Sequence, residues 1–104
     1  DQNHPVSSLI NEMSKHWKQI SWDDDSVPNH NFHEAELLKL NCDKAIIKLN
    51  WNSTLDFEET VRMTVNWYKN YYNGGIESMF DFTLAQIQEY SALANTRNIK
   101  WARY

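Results

Sequence analysis

The chain has 104 residues, 14 acidic and 10 basic side chains, and a net charge of −4. That length suits one small domain or a piece of a larger protein. Lys and Arg are scattered singly, which argues against nucleic acid as a partner, and no apolar run is long enough to span a membrane.

A helix is expected from Pro5 to Lys18, because Val6, Leu9, Ile10, Met13 and Trp17 recur on one helical face. Pro5 suits the first turn, where no amide donor is needed. Ile20 to Trp22 reads as a short strand. Asp23, Asp24 and Asp25 form an acidic turn, and Pro28 closes off regular structure. The run lacks the Gly and terminal Glu of a calcium loop.

Asn29 to His33 reads as polar loop, and Leu37 to Leu40 as a short buried strand. The next helix starts at Asn41 or Cys42 and covers Asp43 to Leu49. The Asn41 side chain can accept from orphan first-turn amides. Ala45, Ile46 and Leu49 are expected to face inward. Asn50 stands where a left-handed residue would end the helix. Asn52-Ser53-Thr54 matches a glycosylation pattern that a chain rich in Asn meets by chance.

Asp56-Phe57-Glu58-Glu59 opens a third helix with a capping box. This helix is expected from Phe57 to Tyr72, with Phe57, Val61, Thr64, Val65, Tyr68 and Tyr72 on its inner side. Asn73-Gly74-Gly75 stops it. Thr83-Leu84-Ala85-Gln86 reads as a second capping box opening the last helix, whose apolar face is Leu84, Ile87, Tyr90 and Leu93. The tail from Asn95 to Tyr104 has no clear period.

The expected fold class is mostly α with a few short strands (α+β). Gly74 and Gly75 are the only glycines. A dinucleotide-binding loop needs several glycines around a strand–helix turn, so the chain cannot hold one. The single cysteine, Cys42, excludes an internal disulfide and fits a reducing, cytoplasmic setting. The polar first residues carry no signal-peptide pattern.

Five segments carry a family resemblance. They are Ser21-Trp22, His33-Glu34-Ala35, Leu38-Lys39-Leu40-Asn41 with Lys44-Ala45 and Asn50-Trp51, Thr64-Val65-Asn66-Trp67-Tyr68, and Phe82-Thr83-Leu84 with Gln86-Ile87 and Tyr90. In this order they resemble the C-terminal, substrate-binding part of the extended short-chain dehydrogenases/reductases. Within that group they are most similar to the CDP-glucose 4,6-dehydratases.

The resemblance implies that residues 1–104 form a single C-terminal substrate-binding domain of an NAD(P)-binding Rossmann-fold enzyme. The cofactor domain, NAD and the catalytic Tyr-x-x-x-Lys pair would then lie outside this chain, which would hold no catalytic residue and no cofactor of its own. It implies a nucleotide-sugar substrate. A homo-oligomer is expected on other grounds, because a short strand at Leu37–Leu40 with open edge groups invites pairing with a second chain. The resemblance also places substrate-binding residues at His33 and Glu34, with Asn31 and His30 beside them. Glu34 falls where a ribose-contacting carboxylate would sit, a group that accepts from two vicinal hydroxyls. Asn31 stands where many relatives carry a phosphate-binding Arg, and His30 or His33 can substitute as donor. His30-x-x-His33 alone does not complete a zinc geometry. The alternative is a free-standing helical module that binds another protein through its aromatic face.

Overall fold

The computed structural model describes residues 4–23 and 40–102. The described residues are 72% helical and contain no strand. They form four α-helices: α1 (Val6–His16), α2 (Asp43–Leu49), α3 (Phe57–Gly74) and α4 (Met79–Thr96). Short 3-10 turns at Ile76–Ser78 and Lys100–Ala102 precede and follow α4.

The expected α+β class, with its Rossmann-fold portion, is therefore corrected to all-α for these residues. Ile20 to Trp22 is not a strand, and no described segment lies alongside it to complete a ladder. Instead the Ile20 amide bonds the Trp17 carbonyl at 3.1 Å and tightens the exit from α1. Of the strand expected at 37–40, only Leu40 is described, and it is not extended into a ladder.

The third helix is the axis of the fold, with α1 packed on one flank and α4 on the other. Its start is fixed locally. The Asp56 carboxylate accepts from the Glu59 amide at 2.8 Å, and the Glu59 side chain accepts from the Asp56 amide at 3.3 Å. This reciprocal pair satisfies two orphan donors. The helix runs two residues beyond the expected Tyr72, and Gly75 (φ +80°) ends it with its amide on the Tyr71 carbonyl. Val61, Met63 and Val65 are buried, but Thr64, Tyr68 and Tyr72 of the expected inner side are exposed. A helix wedged between two neighbours buries two stripes, so no single face could have predicted Met63.

Few contacts tie the flanks. Lys69 Nζ donates to the His16 carbonyl at 3.3 Å, and Trp17 meets Tyr72 with ring centroids 6.0 Å apart. His4 stacks on Phe57 at 3.8 Å. On the other flank, Gln86 Nε2 donates to the Met63 carbonyl at 2.7 Å, and Trp67 Nε1 donates to Thr83 Oγ1 at 2.9 Å. Thr83 therefore lies inside α4 rather than capping it. The 3-10 turn at Ile76–Ser78 runs straight into Met79, so α4 starts a turn earlier than expected. Met79 and Ala94 are its buried residues, whereas Leu84 and Ile87 are exposed.

The short α2 forms as expected. Asn41 Oδ1 accepts from the Asp43 amide at 2.7 Å, and Asn50 is left-handed at φ 52°. Its inward face is a correction. Ile46, Leu49 and Ile47 are exposed, the last to 79%, and α2 packs on no other helix among the described residues.

Candidate functional site

His30, Asn31, His33 and Glu34, the residues that the sequence nominates, lie outside the described residues. The described part brings together other groups that the sequence did not nominate.

A polar cleft of about 350 Å³ lies where the end of α2 meets the turn after α4, lined by Asn50, Asn52, Asn98, Ile99 and Lys100. Two of its carboxamides are on left-handed residues, Asn50 at φ 52° and Asn98 at φ 59°. Both positions close a helix. The Trp51 amide reaches back to the Ala45 carbonyl at 3.3 Å, and the Ile99 amide to the Ala94 carbonyl at 2.9 Å. Asn tolerates this conformation better than other non-glycine residues, so helix termination places two side-chain amides at one rim. Carboxamides donate and accept, and Lys100 donates only. Such a set can hold hydroxyls and an oxyanion. The signal was faint in the sequence, because residues 95–104 show no period and the two Asn are 48 positions apart.

Beside this cleft, Arg97 ties the end of α4 to the start of α3. Its guanidinium donates to the Thr54 carbonyl and to Glu59 Oε1, the latter at 2.9 Å. Hydrogen bonding from Arg97 holds the Glu59 carboxyl below its ordinary range, with the Asp56 amide adding to the effect. Arg97 is correspondingly held above its ordinary value by Glu59. The underlying Thr54 is buried, and its hydroxyl has no hydrogen-bond partner among the described residues. Asp56, Glu59 and Arg97 are thus occupied with one another. They hold the strap from residue 50 to residue 56 against α4, which keeps Asn50 and Asn52 near Asn98.

Two more grooves flank α3. Asn66, Lys69, Asn70, Asn73 and Phe82 line one of about 300 Å³. Met63, Thr83, Gln86, Ile87 and Tyr90 line a smaller, apolar one of about 230 Å³. Among the described residues, no group of three or more His, Cys, Asp and Glu side chains could hold a metal ion. No helix there is long and apolar enough to cross a membrane.

The glycines do not suit a dinucleotide. Gly74 ends α3 and Gly75 caps it, and no strand precedes them among the described residues. The motif that cradles a pyrophosphate needs glycines between a strand and a helix N-terminus.

Compared with curated proteins, 88% of the chain matches CDP-glucose 4,6-dehydratase of Salmonella typhimurium at 34% identity. The match covers 24% of that enzyme, so the chain spans about a quarter of the length of this relative. The resemblance that the motifs carry is therefore present along nearly the whole chain. No protein-family model and no solved structure matches it.

Proposed function

We propose that this chain is the nucleotide-sugar-binding, C-terminal portion of a dehydratase resembling CDP-glucose 4,6-dehydratase, and that it is inactive alone. The observation that carries this reading is 34% identity over 88% of the chain to an enzyme of that name. Fold chemistry supports the second half. A hydride-accepting nicotinamide needs a glycine-rich strand–helix turn, and the described glycines stand elsewhere. NAD would be held by the longer polypeptide, in the cytoplasm, and these residues would contribute recognition of the sugar nucleotide.

In this reading Glu34 accepts from the ribose hydroxyls, and His33, His30 and Asn31 face the diphosphate. Within the longer enzyme, Glu34→Ala should weaken sugar-nucleotide binding about ten- to a hundredfold, the equivalent of roughly 1.5–3 kcal/mol for a charged hydrogen bond. Its melting temperature should stay unchanged. Unchanged affinity with a lowered melting temperature would make Glu34 a loop anchor and remove it from the site. The 104-residue chain, incubated with CDP-glucose and NAD, should give no 4-keto product. Turnover above the buffer control would overturn the assignment of catalysis to residues outside this chain.

A further inference from the structure

Helix α3 carries a polar stripe that neither its caps nor its core uses. Asn66, Lys69, Asn70 and Asn73 recur at three- and four-residue spacing, so they share one face of the helix. With Phe82 of α4 they line a groove of about 300 Å³, and no carboxylate among the described residues lines it. Two of its polar groups are held in place. Asn70 Nδ2 donates to Ser78 Oγ and to Met79 Sδ, each at 3.2 Å, and Ser78 Oγ donates onward to the Gly75 carbonyl at 3.3 Å. Gly74 lets the Ser78 hydroxyl lie this close, because a Cβ at that position would meet it at 3.2 Å. Both amide hydrogens of Asn70 are therefore spent, and Oδ1 remains as a fixed acceptor. Lys69 Nζ donates to the His16 carbonyl at 3.3 Å and keeps its other donors. The Asn66 and Asn73 carboxamides have no hydrogen-bond partner among the described residues.

We propose that this groove binds one pyranose ring of an uncharged sugar. None of its residues belongs to the nucleotide-sugar site proposed above. The mixture of groups selects the ligand. A phosphate or carboxylate needs donors only and would face the Asn70 carbonyl oxygen. A cation needs acceptors only and would face the Lys69 ammonium. A hydroxyl donates and accepts, so it satisfies both neighbours at once. Position along the helix agrees. The stripe rises about 6 Å from residue 66 to residue 70 and about 4.5 Å from residue 70 to residue 73, steps comparable to those between hydroxyls around one sugar ring. Phe82 supplies an apolar wall for the C–H face of a ring, which a linear polyol lacks. The volume is at the small end of ligand sites and suits a single ring. The ligand keeps one face in water, so binding is weak, with a dissociation constant on the order of millimolar.

The test titrates the 104-residue chain with the methyl α-pyranosides of glucose, galactose and mannose, each to about 100 mM, and reads backbone and side-chain amide signals by NMR. At least one glycoside should give saturable shifts centred on Asn66, Asn70, Asn73 and Phe82. Asn66→Ala and Asn73→Ala should each weaken that binding about three- to tenfold, with the helical circular dichroism unchanged. Ser78 acts as a positioning residue and is exposed. Ser78→Ala frees the Asn70 carboxamide to turn and should weaken binding, and Ser78→Thr, which keeps the hydroxyl, should restore it. Ile47→Ser on α2 should leave binding unchanged. Inorganic phosphate should give no saturable shift at these residues, and cytidine diphosphate in excess should not displace the glycoside. Absence of saturation with all three glycosides overturns the proposal, as does wild-type affinity in both Asn66→Ala and Asn73→Ala. Saturation of the same signals by phosphate overturns the choice of an uncharged ligand. Displacement by cytidine diphosphate would assign the sugar to the nucleotide-sugar site and overturn a separate one. Failure of the groove on the other counts leaves the Glu34→Ala test standing.

Discussion

Helices α2 and α3 both have locally marked ends, yet they have opposite fates. Both begin with a side chain that accepts a first-turn amide: Asn41 at 2.7 Å for α2 and Asp56 at 2.8 Å for α3. Both stop at a residue of positive φ, Asn50 and Gly75. Yet α3 is clasped by α1 and α4, while α2 packs on no described helix. A helix of seven residues is marginal on local energetics alone. The contrast separates two things that a sequence encodes. Caps say where a helix is, and only the whole fold says what covers it.

The comparison breaks most visibly under truncation of apolar side chains. Met79, the first residue of α4, is 8% exposed and meets Asn70 of α3. Met79→Ala should cost about 2–5 kcal/mol, through lost transfer energy plus the cavity left behind. Ile47 is 79% exposed on α2, and Ile47→Ala should stay within about 0.5 kcal/mol. Urea unfolding of both variants measures the difference. A cost at Ile47 comparable to that at Met79 would mean that α2 is covered in solution.

The same contrast explains how much was legible beforehand. Asp56 with Glu59, Asn41 with the Asp43 amide, and left-handed Asn50 were readable because each acts within a few residues. Ile46 and Leu49 were misassigned inward because periodicity marks an apolar face without supplying its cover. Thr83 was misread as a cap because it precedes Gln86 at capping-box spacing. In fact the preceding 3-10 turn had already started α4, and the Thr83 hydroxyl serves Trp67 from across the groove. Ile20 to Trp22 has strand-forming residues but no strand beside it among the described residues. The polar cleft stayed hidden because Asn50 and Asn98 meet only through tertiary structure. Arg97, which holds that arrangement, looked like any charge in an aperiodic tail.

A second prediction sharpens the claim that α2 stands apart. Asn50 pays a smaller penalty in the left-handed region than a residue with no local hydrogen-bonding side chain. Asn50→Ala should cost α2 roughly 1 kcal/mol. If α2 opens independently of the rest, the loss appears in amide exchange of residues 45–49 and leaves the global unfolding midpoint in place. A matching shift in the global midpoint would show that α2 unfolds with α3 and α4. Asn50→Gly should restore protection.

The smallest expected effect concerns acid, and it tests the strap rather than the helices. Arg97 lowers the pKa of Glu59 in the folded state. A carboxyl whose folded pKa is depressed binds protons less readily when folded than when unfolded. Its contribution to stability is therefore complete above the ordinary carboxylate pKa and is lost as pH falls through the lowered folded value. Both groups are solvent-accessible, so screening keeps the contribution small. The wild-type chain should lose stability across that acid window, and Arg97→Gln should flatten this part of the profile while leaving its neutral limb nearly parallel. Glu59→Gln should flatten it in the same way. Adding Arg97→Gln to Glu59→Gln should then change the acid limb no further, because the two side chains act as one pair. Thermal unfolding between pH 3 and pH 7 decides the point. An acid limb as steep in Arg97→Gln as in the wild type would mean that the Asp56 amide alone sets the Glu59 carboxyl. The guanidinium would then hold the strap through the Thr54 carbonyl only.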